Sequence, residues 1–234
     1  MIKEYLANLV NVILPPTCFG CGEKINSGIL CETCYRKIQP VKPPFCRRCG
    51  KEISPQESTL CYQCQKKQIY HNMLIPCFYY NDLIKKLIHL FKYSHYDYLG
   101  EFFSSLIIRH LSNLGFSYSN YDYITYVPSH RLRLREREYN QSYLLAKHLS
   151  NFFKITFNDK IIFCKEIKPS QTKLEKNKRQ ANVKDIFEVK ENIANKRIIL
   201  VDDIITTGST LSECSRVLKE KGTAYITLIT LAKA

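Results

Sequence analysis

Paired cysteines dominate the first third of the sequence, and they are the residues best suited to bind a metal. Four CxxC pairs follow one another, and a gap of two residues lets both sulfurs of a tight turn point at one ion. Two pairs complete a tetrahedral shell of four thiolates, which leaves no open position for catalysis. The spacing therefore predicts two structural Zn²⁺ sites, paired in sequence order, although interleaved pairing satisfies the same spacing. The predicted ligands are Cys18, Cys21, Cys31, Cys34, Cys46, Cys49, Cys61 and Cys64.

The same cysteines bear on the compartment in which the protein works. Disulfide bonds and an iron–sulfur cluster are the alternatives to zinc for cysteines in this arrangement. We expect no secretory signal in the opening residues, because polar residues interrupt the apolar ones and no small-residue cleavage site follows. A reducing, cytoplasmic environment is therefore expected, and it favours zinc. The remaining cysteines, Cys77, Cys164 and Cys214, lie in apolar or helical stretches and are predicted to be small core residues.

The opening stretch, residues 1–18, carries apolar side chains near helical spacing. This pattern predicts an amphipathic helix packed on the protein's own core, with a helix lying on a membrane surface as the alternative. No apolar run reaches the roughly 20 residues that cross a bilayer, so no transmembrane segment is predicted.

The second chemical feature is the stretch "IILVDDIITTGST" near the end of the chain. Asp202 and Asp203 follow a short apolar run, and in open parallel sheets ligands bind beyond the carboxyl ends of such strands. The next turn offers backbone N–H groups, hydroxyls and the start of a helix, which together suit a phosphate monoester. Two adjacent carboxylates beside a phosphate suit the vicinal hydroxyls of a sugar, so a ribose 5-phosphate unit is predicted. The phosphate turn consists of Thr206, Thr207, Gly208, Ser209 and Thr210.

This stretch has two other interpretations. An apolar run ending in two acids also occurs in the metal-binding strand of P-loop nucleotidases, but the GxxxxGK[ST] sequence of those proteins is absent here. The second alternative is an ordinary strand-to-helix turn in which the acids cap the helix.

The rest of the sequence must form the elements that position these groups. Apolar runs alternate with helical patterns after the last cysteine pair, which predicts an α/β fold with a mostly parallel sheet flanked by helices. Residues 1–70 are assigned to a small zinc-ribbon module and residues 71–234 to the α/β domain. A polar, lysine-rich stretch at 165–185 is predicted to be a long functional loop. Strands are predicted at 73–80, 123–127, 160–164, 198–201 and 224–232, and helices at 83–94, 98–114, 136–153 and 210–221.

The charge of the chain indicates the kind of partner it prefers. Its formal net charge is +14 over 234 residues, with aromatic residues at 12 %. Such a surplus favours anionic partners, such as phosphates, nucleic acid or acidic lipid, and says nothing about the fold. Aromatic side chains among basic ones, as in "FKYSHYDY", also suit sequence-tolerant binding of single-stranded DNA. Core or rim packing is the alternative role for these tyrosines.

Four stretches together resemble the ComF-type competence proteins. They are the paired cysteines, "HRLRLREREYNQ" at 130–141, "QTKLEKNKRQANVKDIF" at 171–187, and "LVDDIITTGST" at 200–210. The last also resembles the phosphoribosyl-diphosphate fingerprint of type I phosphoribosyltransferases. Two positions depart from the family pattern: Arg131 stands where proline is usual, and Glu138 where glycine is usual.

The resemblance implies a role for each group. Asp202 and Asp203 would hold the ribose hydroxyls, and the turn at 206–210 would hold the 5-phosphate. Arg179 would reach the site from a flexible hood at 171–187. Mg²⁺ would accompany the diphosphate and need few protein ligands. The loop after the second strand would hold the diphosphate, with Ser129, His130, Arg131 and Arg133 as candidates.

Arg135 and Arg137 are also matched family positions. Because the four arginines alternate in the sequence, we expect that most of them cannot face one small ligand together. Lys92, at the end of a predicted helix, is a weaker candidate, and we interpret it as a surface lysine.

Two functions remain open at this point. The first is an enzyme of natural competence that binds phosphoribosyl diphosphate and transfers the pentosyl group to an unknown acceptor. The alternative is a non-catalytic DNA-binding or sensor module that retains the sugar-phosphate pocket. The resemblance implies single-stranded DNA as a partner, together with a DNA-uptake helicase or other competence proteins.

Overall fold

The computed structural model describes residues 16–54, 59–94, 96–129, 131–165 and 185–234, with the side chains of 131–133 left aside. His130, Arg179 and most of the predicted hood and N-terminal helix lie outside the described residues. Within the described ranges, every helix is too short or too polar to cross a membrane. The helices are α1 Glu32–Tyr35, α2 Tyr62–Gln65, α3 Asp82–Tyr93, α4 Leu99–Asn113, α5 Arg131–Arg137, α6 Gln141–Phe153 and α7 Ser209–Glu220. The strands are β1 Met73–Tyr79, β2 Tyr123–Tyr126, β3 Thr156–Phe157, β4 Ile162–Cys164, β5 Phe187–Val189, β6 Arg197–Ile205 and β7 Tyr225–Lys233.

The main sheet has five strands in the order β1-β7-β6-β2-β3, and all of its pairings are parallel. Strand β6 lies at its centre, where Val201 stands opposite Tyr126 of β2 and Asp202 stands opposite Thr230 of β7. The predicted α/β fold with a parallel sheet is confirmed.

The apolar run in β6 builds the core on both faces of the sheet. Ile199 and Val201 pack with the layer formed by α3, α4 and α6. Ile198 and Leu200 point the other way and pack with α7 and the small β4–β5 sheet. All four side chains are fully buried. Burial of each contributes about 1.5–3 kcal/mol relative to an exposed side chain, and it explains why this strand is apolar without interruption.

The connections create a topological switch point at the carboxyl ends of β2 and β6. From β2 the chain passes through α5 and α6 toward β3, and from β6 it passes through α7 toward β7. The two connections diverge to opposite sides of the β2–β6 pair. In open α/β sheets such a switch point is the usual place for a ligand.

The structure differs from the sequence-based elements at three places. The helix predicted over 136–153 is two helices, because Asn140 caps α6 by accepting hydrogen bonds from the N–H groups of Ser142 and Tyr143. The strand predicted at 160–164 exists as β4, but it pairs antiparallel with β5 outside the main sheet. The central strand continues to Ile205, so the two acids lie within it rather than beyond it.

The cysteine-rich module is docked along the outer edge of β1. The Val41 N–H donates to the carbonyl of Cys77 at 2.9 Å, and the Tyr79 N–H donates to the carbonyl of Gln39 at 3.0 Å. The Lys233 ammonium at the end of β7 donates to the carbonyl of Gly50 at 2.9 Å. The module therefore covers a sheet edge whose backbone groups would otherwise be exposed.

Candidate functional site

The eight paired cysteines form two compact clusters in sequence order. The four sulfurs of each cluster lie within 4.8 Å of one another. The Cys21 and Cys31 sulfurs are 3.7 Å apart, and so are those of Cys49 and Cys61. A tetrahedral zinc ion with Zn–S bonds of about 2.3 Å needs sulfurs about 3.8 Å apart, so the clusters fit that ion. The clusters are Cys18, Cys21, Cys31 and Cys34, and Cys46, Cys49, Cys61 and Cys64.

Local backbone geometry prepares sulfurs in both clusters for metal binding. Burial raises the pKa of Cys18, but hydrogen bonds from backbone N–H groups, including that of Cys31 at 3.2 Å, outweigh it and lower the pKa to about 6. Burial also raises the pKa of Cys46, and backbone N–H groups again lower it, to about 7. Each cluster thus contains a sulfur that forms a thiolate readily, which is the form that binds a metal.

Asp202 and Asp203 lie side by side near the carboxyl end of β6 and have different surroundings. Oδ1 of Asp202 accepts a hydrogen bond from the Ser142 hydroxyl of α6 at 2.9 Å and one from the Asp203 N–H at 2.9 Å. Oδ1 of Asp203 accepts from the Ile204 N–H at 2.8 Å, and Oδ2 pairs with the Lys92 ammonium. Both of these hydrogen bonds to Asp202 reach the same oxygen, Oδ1.

The electrostatics of the pair follow from this packing. Burial raises the pKa of Asp202 to about 7, and the negative charge of Asp203 acts in the same direction. The Ser142 hydroxyl, the Asp203 N–H and the Lys92 ammonium oppose that rise. Asp202 is therefore poised between its protonated and ionised forms near neutral pH.

The turn after β6 is open and rich in donors. Thr206, Thr207 and Ser209 are exposed, and Thr210 is partly buried. The Thr207 and Ser209 hydroxyl oxygens are 2.9 Å apart. Gly208 has φ of +76° at the N-cap of α7, a conformation that glycine adopts without strain. The first N–H groups of α7 lack partners within the helix and face this turn, so the turn suits an anion.

The loop after β2 reaches the same edge of the sheet. The Val127 N–H donates to the carbonyl of Val201 at 3.0 Å, and the Asn140 side chain donates to the carbonyl of Val127 at 3.0 Å. Ser129, which is partly exposed, lies two residues after Val127. The structure therefore brings the start of the predicted diphosphate loop beside the two acids.

The arginines that follow this loop lie in helix α5. Arg137 donates to the Tyr93 hydroxyl at 3.0 Å and packs over its ring, and Arg135 is exposed. The structure also shows the backbone conformation at the two positions that depart from the family pattern. Arg131 opens the helix, where proline is favoured, and Glu138 has φ of +62°, where glycine is favoured.

Two contacts of the acid pair were missed from the sequence. Lys92, interpreted as a surface lysine, lies against Asp203 with only 15 % of its side chain exposed. No sequence pattern marks Ser142, whose hydroxyl donates to Asp202. Both belong to helices far from the acids in the sequence, and no local spacing connects them. A basic residue in the last turn of an amphipathic helix was the only available signal for Lys92.

Comparison with known proteins agrees with these observations. Residues 9–65 match the double zinc ribbon domain, and residues 140–234 match the phosphoribosyl transferase domain. Competence protein F of Haemophilus influenzae is 29 % identical over 224 residues, covering 93 % of this chain and 90 % of that protein. Competence protein ComFC of Bacillus subtilis is 29 % identical over 214 residues, covering 88 % and 79 %. The DNA utilization protein YhgH of Escherichia coli is 26 % identical over 172 residues, covering 71 % and 74 %.

A solved purine phosphoribosyltransferase from Pyrococcus horikoshii is 19 % identical, with a TM-score of 0.38 over 58 % of this chain and 74 % of that one. By its matched domains and parallel sheet, the chain is a phosphoribosyl transferase-like α/β protein with an N-terminal double zinc ribbon. It is a homologue of competence protein F and ComFC, which confirms the resemblance to ComF-type competence proteins.

Proposed function

We propose that this protein binds phosphoribosyl diphosphate with Mg²⁺ and acts as a type I phosphoribosyltransferase in natural competence. The observation that carries the proposal is the joint position of three groups at the carboxyl edge of β2 and β6. They are the Asp202–Asp203 pair, the open turn before α7, and the loop that begins at Ser129. The homologues named for competence and DNA utilization support the cellular role.

Each group has a distinct task in this proposal. The turn at 206–210 binds the 5-phosphate through its N–H groups and hydroxyls. The two carboxylates accept hydrogen bonds from the ribose hydroxyls. Their negative charge also stabilises the positive charge that develops on the sugar when the bond to the diphosphate breaks. Mg²⁺ would neutralise the leaving diphosphate. Arginine forks bind such a group bidentately, so Arg131, Arg133 and Arg179 are assigned to the diphosphate with Ser129 and His130.

The zinc ribbons have a structural task. Two Zn²⁺ ions, each with four thiolates, hold the module that packs on the edge of β1. Eight thiols must remain reduced to bind them, so we place the protein in the cytoplasm.

Calorimetry with phosphoribosyl diphosphate tests the proposal. We expect Mg²⁺-dependent binding to the parent protein and a loss of about 100-fold or more for Asp203→Asn, because a carboxylate facing the sugar becomes neutral. Asp82→Asn is the matched control, since Asp82 is an exposed acid in the first turn of α3. Unchanged binding in Asp203→Asn, or no heat with the parent protein, would contradict the proposal.

Single-stranded DNA is a second proposed ligand, favoured by exposed aromatic rings beside cations. Tyr62 is 67 % exposed, and the Lys66 ammonium lies 4.2 Å from the centre of its ring. Tyr93 is 49 % exposed, with the Arg137 guanidinium 5.2 Å from its ring centre. Such pairs suit base stacking combined with phosphate contacts.

DNA affinity measured at several salt concentrations tests this second proposal. Contacts to the DNA backbone predict affinity that falls linearly with salt on a log–log plot. Tyr62→Ala should weaken binding by about 5-fold to 100-fold, the range for one stacked base. The control is Phe152→Ala, which removes an exposed ring on α6. Salt-independent binding, or equal losses in both variants, would exclude the interface. A DNA-uptake helicase or another competence protein would receive the strand bound there.

A further inference from the structure

A lysine from a distant helix reaches the acid pair. The Lys92 ammonium pairs with Oδ2 of Asp203, and both side chains are largely covered, at 15 % and 14 % exposed. Lys92 belongs to the last turn of α3, which follows the edge strand β1, whereas Asp203 lies in the central strand. A mostly covered ion pair between distant elements requires that the backbone on both sides is held in place.

The end of α3 is held by the junction between α5 and α6. The last four carbonyl groups of a helix lack partners inside it. One of these, the carbonyl of Phe91, accepts hydrogen bonds from the Tyr139 hydroxyl at 2.5 Å and from the Gln141 side chain at 3.2 Å. Two residues after Phe91, the hydroxyl oxygen of Tyr93 accepts a hydrogen bond from Arg137 at 3.0 Å. Both neighbours of Lys92 are therefore fixed to the segment that follows the predicted diphosphate loop.

The acid pair needs a nearby positive charge. Two adjacent, partly buried carboxylates repel each other, and a sugar brings no charge that offsets this repulsion. Within the part of the chain that the structure describes, the groups that act on Asp202 are Asp203 from its own strand, Lys92 from α3, Cys214 from α7 and the Ser142 hydroxyl from α6. Among these groups, Lys92 alone carries positive charge. Its presence opposes the rise in the pKa of Asp202 that burial causes.

We propose that Lys92 is a positioning residue of the sugar-phosphate site, which fixes the Asp203 carboxylate and supplies the positive charge that lets both carboxylates face one sugar. This inference rests on the proposed function. It assigns the lysine to the ligand site rather than to fold stability, and it explains why the end of α3 is anchored to the α5–α6 junction.

Ligand affinity measured against pH separates these two roles. We compare the parent, Lys92→Met, Lys92→Arg and Lys85→Met, which removes the same charge from an exposed position of the same helix. Calorimetry with phosphoribosyl diphosphate and Mg²⁺ is run from about pH 5.5 to 9, and carboxyl titrations are followed by ¹³C NMR without ligand.

We expect Lys92→Met to weaken binding about tenfold at neutral pH and to raise the pH midpoint of binding by about one unit, because one pKa unit equals a tenfold change in ionisation. The NMR titration of Asp202 should move by a similar amount. Lys92→Arg should restore most of the affinity and the midpoint, and Lys85→Met should resemble the parent.

The outcomes distinguish the two proposals. If the parent binds no phosphoribosyl diphosphate, the proposed function and the role of Lys92 in it both fail. If the parent binds and Lys92→Met loses stability but keeps the parental affinity and pH midpoint, only the role of Lys92 fails, and the ion pair is structural. Equal losses in Lys92→Arg and Lys92→Met would also overturn the charge-based role.

Discussion

The zinc module and the carboxyl edge of the sheet solve one electrostatic problem in different ways. Each gathers groups that repel one another when ionised: four cysteine sulfurs in each cluster, and two carboxylates near the end of β6. In the module the ligands of each site come from two neighbouring pairs in the sequence. At the edge, Asp202 is contacted by Ser142, which is 60 positions away, and Asp203 by the still more distant Lys92.

This difference affects how each region responds to a substitution or to the loss of a metal ion. Each zinc site holds its four sulfurs together through the metal that they share. If the metal or one ligand is removed, the module should lose its structure as a whole. The edge is supported by a core that packs on both faces of β6, so its side chains can change while the fold persists. The comparison therefore predicts large, all-or-none effects in the module and smaller, graded effects at the edge.

The largest effect is expected for Cys64→Ser in the second cluster. Loss of one buried ligand should reduce the zinc content from two ions to one per chain and lower the free energy of unfolding by about 4 kcal/mol or more, since metal loss is among the most damaging changes. Metal analysis and chemical denaturation measure this. Cys164→Ser is the control, because that cysteine lies outside both clusters. A variant that retains two zinc ions would remove the contrast between the regions.

A smaller effect, dependent on pH, is expected for Asp202→Asn. The folded-state pKa of Asp202 is raised to about 7, so the folded protein retains a proton that the unfolded chain releases between about pH 4 and 7. The free energy of unfolding of the parent should therefore fall as the pH rises through this range. Asn has no such titration, so the variant should be more stable than the parent by about 2 kcal/mol at pH 8.

Thermal unfolding of both variants is measured from pH 4 to 8. Asp122→Asn is the control, and its effect on stability should have the opposite sign to that of Asp202→Asn. Asp122 lies before β2 at the other end of the sheet, and hydrogen bonding from the Arg197 N–H lowers its pKa. Its contribution to stability is lost as the pH falls, so its replacement should destabilise the protein at neutral pH. If both variants shift stability in the same direction, the electrostatic environment of Asp202 at the carboxyl edge does not differ from that of Asp122 at the opposite end of the sheet.

A third prediction concerns the turn that precedes α7. Gly208→Ala places a side chain at φ of +76°, which costs about 1–2 kcal/mol in the left-handed region. The turn should relax to a different shape, so both stability and affinity for phosphoribosyl diphosphate should fall. Gly115→Ala has a similar φ of +64° far from the site, and it should lower stability alone. Parallel affinity losses in the two variants would argue against a phosphate-binding turn.

The smallest effect is expected at the junction that holds α3. Glu138 has φ of +62°, so Glu138→Gly should relieve strain and raise the free energy of unfolding by about 1 kcal/mol. Glu136→Gly, at an ordinary helical position of α5, should lower stability by about the same amount. Chemical denaturation of both variants measures the difference, and a destabilised Glu138→Gly would show that the junction does not carry strain.

The sequence alone was informative wherever a pattern is local. The spacing of the cysteines predicted two four-sulfur clusters, and alternating apolar runs and helical periods predicted a parallel sheet. The apolar run before Asp202 marked the central strand, because a strand buried on both faces must be apolar throughout.

Tertiary structure decided the features that join distant segments. It separated α5 from α6 through the cap at Asn140, moved β4 into a small sheet with β5, and placed Ser142 and Lys92 against the acid pair. Spacing and periodicity describe neighbours within one element, whereas these contacts depend on which crossover brings two elements to the same edge. For that reason the acids could be recognised from the sequence, and the charge that balances them became visible only after the chain was folded.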